Sequence, residues 1–477
     1  MRVIRSIGRT AAALLLVMAW VVLAGCADGR GAAGTSDAVG LDVVADHGDP
    51  DATADAPDAW EPPEPPWVAP DDGLRLAVDR RDMRVPVGLP TGGYGQMPPA
   101  GSPKSPFADL FMATTSQLHP PRVQALHLLR GDRRLLLVQT DLIAPYWTLH
   151  QYLVQQVQAR TGVDIADSLV LLANHTHLGP GRYLDTLMSV LFMDNYEEQA
   201  FQAVAAPIAD ALVAVLVAPA VPVEAKVATL TEGRIHKDRR CENPEHVNDA
   251  MGLLRFDTVD DASPRTLALV INYALHGTVH GWASGQISGD APRSVELKVE
   301  EVLPGPPMVM FTQSWTGDVA PTDPRAEFAE APGPEAQDEK LDQLEAIGRL
   351  AAETVLAGWD AFETMPEPVL DVVSFVAPTS REELGYESGE WDFPHGALLC
   401  GGGATNCTGV PVDMTQCLGM EPGWLPAHTR FTAWRLGDLT AVTLPGEPHT
   451  PLAEAVLDGV AATAGTGDAG ASRGGGR

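Results

Sequence analysis

Directly after the apolar run Leu169–Ala173 the chain reads Asn174-His175-Thr176-His177-Leu178-Gly179-Pro180-Gly181. In extended backbone, residues i and i+2 point to the same side, so His175 and His177 are expected to face one cleft. Two imidazoles so placed can hold a metal, or one can bind it while the other moves protons. The plain alternative is a pair of loop histidines bonded to backbone. Leu275-His276-Gly277-Thr278-Val279-His280 follows a second apolar run, Leu267–Tyr273, and Ile287-Ser288-Gly289-Asp290 comes soon after. Gly317-Asp318-Val319-Ala320-Pro321 lies beyond a third run, Met308–Phe311, and Pro445-Gly446-Glu447-Pro448-His449 beyond a fourth, Leu439–Leu444. Four polar clusters, each past a strand end, are what a site along the carboxyl edge of a sheet would give, and this shared placement favours the metal reading. There is no H-E-x-x-H helix and no P-loop.

The elements that must position these residues alternate. Leu135–Val138 and Leu169–Ala173 are short apolar runs of the length of buried strands. Residues 148–160 carry Leu149, Leu153 and Val157 at i, i+4 and i+8, one face of a helix. A longer amphipathic helix is expected over 195–217, with Pro207 as a possible kink, and another over Leu341–Leu356. This pattern predicts an α/β fold: mixed β-sheets with flanking helices.

The chain has 477 residues and a formal charge of −31, with 46 Gly and 40 Pro. Such a charge repels nucleic-acid backbones and anionic lipid, so neither is expected as a main partner. Residues 1–25 read as a lipoprotein signal peptide. Arg2, Arg5 and Arg9 precede an apolar stretch, Ala11–Ala24, too short to span a bilayer, and Leu23-Ala24-Gly25-Cys26 resembles a lipobox. Cys26 would then be acylated and the protein exported, anchored to a bacterial cell envelope. Residues 26–69, rich in Ala, Asp and Pro, read as a disordered acidic tether. Residues 70–465 form the catalytic-type unit, and 466–477 a disordered tail. In an oxidising compartment Cys241, Cys400, Cys407 and Cys417 are expected in disulfides, their pairing open.

The ordered set of short motifs resembles the neutral/alkaline non-lysosomal ceramidases, N-terminal catalytic domain, through most of residues 75–455. It comprises Gly93-Tyr94-Gly95, Thr140-Asp141-Leu142, the His175-Thr176-His177-Leu178-Gly179-Pro180-Gly181 segment, Arg239-Arg240 with Asn243-Pro244, and Leu253-Leu254-Arg255-Phe256-Asp257. His276-Gly277-Thr278, Ser288-Gly289-Asp290, Gly317-Asp318-Val319 and Pro445-Gly446-Glu447 follow in the family's order. The resemblance implies a Zn2+ site held by His175, His276 and Glu447. It makes His177 a catalytic acid/base or oxyanion donor, and Arg240 and Asn243 lining of the substrate cleft. Where the family has an essential Ser, this chain has Ala320. The family's Tyr ligand downstream of the Glu has no counterpart, since the last Tyr is Tyr386.

The resemblance thus implies a zinc-dependent hydrolase of an N-acyl amide or ester, with ceramide itself disfavoured by Ala320. Two alternatives stand beside it. One is a catalytically impaired member acting as a surface-anchored binding lipoprotein. The other is a zinc-independent hydrolase using Ser288, Asp290 and His276.

Overall fold

The computed structural model describes residues 73–102, 104–239, 248–259, 263–281, 284–327, 339–366, 368–378 and 428–465. All fall in the compact unit Glu61–Arg477; the other unit, Met1–Trp60, lies outside the described residues, as do Arg240, Asn243 and all five cysteines.

The elements run β1 (Arg75–Asp82), β2 (Ser116–Gln117), β3 (Arg122–Arg130), β4 (Arg133–Thr140), α1 (Trp147–Thr161), β5 (Leu169–Ala173), α2 (Leu187–Met193), α3 (Glu198–Val217), β6 (Val221–Thr231) and β7 (His236–Asp238). They continue with β8 (Ala250–Thr258), β9 (Thr266–Tyr273), β10 (Gln286–Ile287), α4 (Asp290–Val302), β11 (Met308–Gln313), β12 (Val319–Pro321), α5 (Glu339–Ala357) and β13 (Glu363–Thr364). The last are β14 (Leu370–Pro378), β15 (His428–Leu436), β16 (Leu439–Val442) and α6 (Thr450–Gly465).

Among the described residues, nine strands form one sheet in the order β11-β9-β8-β6-β1-β3-β4-β5, with β13 on β6. The pairs β4–β5 and β9–β11 are parallel and the others antiparallel, so the sheet is mixed as expected. Its middle is thin. β1 and β6 share only the pairs Arg75↔Pro222 and Leu76↔Val221, so the sheet divides there into two halves. Alternating side chains explain how the halves pack. Leu135 and Leu137 of β4 join Phe256 of β8, Val270 of β9 and Met310 of β11 in one apolar cluster between the halves. Leu136 and Val138 point the other way, to Leu149, Leu153 and Val157 of α1 and Val204, Ile208 and Leu212 of α3. On the far side, Leu269, Ile271 and Phe311 meet Val295 of α4 and Leu344, Ile347 and Val355 of α5. The layers are therefore helix, sheet, sheet, helix. Strands buried on both faces read as continuous apolar runs, which is why they were visible in the sequence.

Helix α3 is apolar and long enough to cross a membrane, but it contributes its stripe to this core. A separate three-stranded sheet, β14-β15-β16, supplies Leu370 and Leu436 to the central cluster.

Candidate metal centre

His175 follows β5 and His276 follows β9, strands from different halves of the sandwich. The two loops continue side by side through a parallel bridge, Thr176↔Gly277, with His177 N donating to Gly277 O at 3.1 Å. Only glycine fits at 277, because a Cβ there would lie 2.7 Å from Thr176 Cα. Glu447 arrives from the loop between β16 and α6. That loop rests on Gly317, whose N donates to Pro448 O at 3.0 Å, and a Cβ at 317 would lie 2.4 Å from Glu447 O. Thr450 N donates to Asp318 Oδ2 at 2.9 Å, pinning the start of α6 to the same turn.

The structure thus brings His175, His177, His276 and Glu447 together, with one potential ligand atom from each within 4.8 Å of the others. His175 Nε2 lies 2.9 Å from Glu447 Oε1, and His276 Nε2 lies 3.7 Å from Oε2. The ring centroids of His175 and His276 are 4.6 Å apart. Second partners fix the tautomers. His175 Nδ1 donates to Ile143 O at 2.8 Å and His276 Nδ1 to Thr316 O at 3.3 Å, leaving each Nε2 as a lone pair toward the cluster.

Electrostatics follow from burial and the single carboxylate. Burial opposes protonation of His175, but Glu447 outweighs it and raises the imidazole's pKa. Burial would raise Glu447 as well; His175 and His276, with Arg239, instead hold it well below the usual carboxylate range. His177 is pushed down to about 3 by burial and by the neighbouring His175, and His276 well below its ordinary value by burial and Arg239. Both therefore rest neutral, the form in which imidazole binds a metal.

A divalent cation fits this donor set. His175 Nε2 is buried and faces the cluster, 2.9 Å from Glu447 Oε1. Two imidazoles, each with Nδ1 already bonded to a backbone carbonyl, and one carboxylate match a catalytic zinc shell with a fourth position open.

Two expectations are corrected here. The segment from His175 to His177 is not simply extended: His175 has φ 59°, in the left-handed region. The rings converge because Ile143 O and the Thr176–Gly277 bridge hold the loop, not because of strand alternation. Nor do all four clusters line one sheet edge, since Glu447 follows β16 of the separate sheet. Ala320 lies in β12, opposite Lys237 of β7. Arg240 and Asn243 are outside the described residues.

Arg239 was not singled out from its neighbour by the sequence, yet it enters the site. Its Nη2 donates to Glu447 Oε2 at 3.0 Å, its Nη1 lies 3.4 Å from His276 Nε2, and its Nε donates to Gly317 O at 3.1 Å. Tyr94 packs on His177 with ring centroids 4.9 Å apart and donates to His280 O at 2.8 Å. The paired arginines and the Gly93-Tyr94-Gly95 segment were the only signals for these two.

No family model and no curated protein matches the chain. Among solved structures, the neutral ceramidase from Pseudomonas aeruginosa is similar with a TM-score of 0.66 at 17% identity, over 83% of this chain and 66% of that one. The fold is ceramidase-like. A ceramidase complexed with C2 is similar with a TM-score of 0.63 at 19% identity, over 83% of this chain and 67% of that one. The chain spans about two thirds of the length of these ceramidases. At these identities the likeness shows the fold, while the possible metal site rests on the geometry of the histidine and glutamate cluster itself.

Proposed function

We propose that the protein is a zinc-dependent hydrolase of N-acyl amide or ester substrates. The observation that carries this reading is the convergence of His175, His276 and Glu447, with one potential ligand atom from each within 4.8 Å of the others. These three residues would hold Zn2+. When bound, the ion acts as a Lewis acid on a carbonyl and makes water nucleophilic near neutral pH. The chain's own residues do the rest. Glu447 supplies the negative charge, oriented by Arg239. His177 is neutral, and its Nε2–H, which lies 3.0 Å from His276 Nε2, would be released to developing charge on the substrate oxygen or to the departing amine once the His276 lone pair is taken up by the metal.

Ceramide would be a poor substrate because Ala320 offers no hydroxyl where the family has Ser. The same observation favours a second reading, a metal-holding surface protein that binds a lipid-like ligand without turnover. Zinc content of protein purified without added metal, followed by an amide and ester screen before and after chelation, tests both. Zinc with chelator-sensitive turnover supports the hydrolase, zinc without turnover the binding protein, and turnover that survives chelation the Ser288 alternative.

Export and acylation at Cys26 complete the proposal, placing the site at a cell envelope with a lipid-like small molecule as its partner. A Cys26→Ser variant should leave the membrane fraction; undiminished attachment would reject the anchor.

A further inference from the structure

The last residue of β11, Gln313, joins the two histidine-bearing loops through its side-chain amide. Nε2 donates to Asn174 O and to Leu275 O, each at 2.6 Å, and Oε1 accepts from Leu275 N at 3.2 Å. Asn174 immediately precedes His175, and Leu275 immediately precedes His276. Asn174 is itself fixed: its Nδ2 donates to the fully buried Asp141 Oδ1 at 2.6 Å, and its Oδ1 accepts from Thr176 N at 3.2 Å.

β5 and β9, the strands that lead into the two loops, have five strands between them in the sheet order, so sheet hydrogen bonding does not set the distance between the His175 loop and the His276 loop. Two ties do. The Thr176↔Gly277 bridge fixes the residues after each histidine, and Gln313 fixes the residues before them. Each imidazole is thereby bracketed. One amide nitrogen has two N–H groups, one for each carbonyl, and its partner oxygen takes the remaining backbone donor. A carboxylate would set oxygen against two carbonyls, and an aliphatic side chain would leave both carbonyls and Leu275 N unpaired.

We propose that Gln313 is a positioning residue that holds His175 and His276 at the spacing a divalent metal requires. The proposal rests on the metal reading of the site. Supporting residues around metal ligands change affinity by about 10- to 100-fold when removed, and Gln313 should fall in that range.

The test uses the full chain with Gln313→Leu and with Gln313→Glu, which keeps an acceptor for Leu275 N and carries the readout if Gln313→Leu does not fold. The zinc dissociation constant is measured against a competing chromophoric chelator, the visible spectrum of the Co2+ form recorded, and the melting temperature of the metal-stripped protein determined. The expected result is zinc binding weaker by about 10- to 100-fold and an altered Co2+ spectrum. A purely structural role would lower the melting temperature of the stripped protein and leave affinity and spectrum unchanged, which would overturn the proposal. A wild-type chain that takes up no zinc would overturn the metal reading itself, and this proposal with it. Zinc uptake by the wild type with unchanged variants would overturn this proposal alone.

Discussion

His177 and His276 face each other Nε2 to Nε2 at 3.0 Å. Such a contact needs one proton between two nitrogens. His276 Nδ1 donates to Thr316 O, so its Nε2 is the acceptor and His177 Nε2–H the donor. The two imidazoles are thus unequal: His276 offers a lone pair to the cluster, and His177 offers a proton.

That inequality predicts that His177→Ala retains stoichiometric zinc and loses turnover by about 100- to 1,000-fold, the usual effect of removing one transition-state donor. Metal analysis and steady-state kinetics on one preparation check it. Loss of zinc in the variant would make His177 a ligand instead.

His276→Ala should abolish tight zinc binding, because His175 and Glu447 alone cannot complete the protein shell. Removing His276 also strips Arg239 of a neighbour, leaving the guanidinium bonded to Glu447 and to Gly317 O. Stoichiometric zinc surviving dialysis of this variant would reject the assignment.

Ala320→Ser adds one oxygen to β12, close in sequence to the Gly317 turn that carries the Glu447 loop. The side chain is half-buried, so the variant should fold with a melting temperature near that of the wild type. N-acyl amide hydrolysis should rise, by up to about 100-fold if the hydroxyl donates to a transition-state charge. Rates on short-chain ceramide and simple acyl amides, with and without chelator, decide it. No gain in a zinc-loaded variant would favour the binding-protein reading.

Stability should fall in mild acid through His127. Its ring is almost fully buried on β3, Nδ1 donates to Val215 O at 3.1 Å, and its pKa is pushed down to about 4, chiefly by burial. A histidine whose pKa is lower folded than unfolded stabilises the native state above the unfolded value, about 6.5. That contribution disappears as pH falls toward the folded value, at roughly 1.4 kcal/mol per pH unit. Urea titrations between these limits should show the decline, and His127→Asn, which keeps a donor toward Val215 O, should flatten it despite a lower baseline. An unchanged slope would place the acid sensitivity elsewhere; His150, also pushed down to about 4 by burial, is the next group to replace.

Local pattern determined the scaffold. The runs Leu135–Val138 and Leu169–Ala173 were legible as strands because both of their faces are buried, and Leu149, Leu153 and Val157 as a helix stripe because burial on one face imposes a period. The residues that the structure gathers into the candidate site were legible too, since His175, His177, His276 and Glu447 each follow an apolar run. What the tertiary structure alone decided is which of these groups meet. Glu447 reaches the histidines from a separate sheet because its loop seats on Gly317, a contact between distant segments that no local spacing encodes. The left-handed backbone at His175 depends on Ile143 O and Gly277. Arg239 entered the cluster, although the sequence had pointed to Arg240, because a pair of adjacent arginines carries no sign of which one turns inward. Gln313 reads in sequence as a polar strand end, and its two carbonyl partners exist only once both halves of the sandwich have closed on each other.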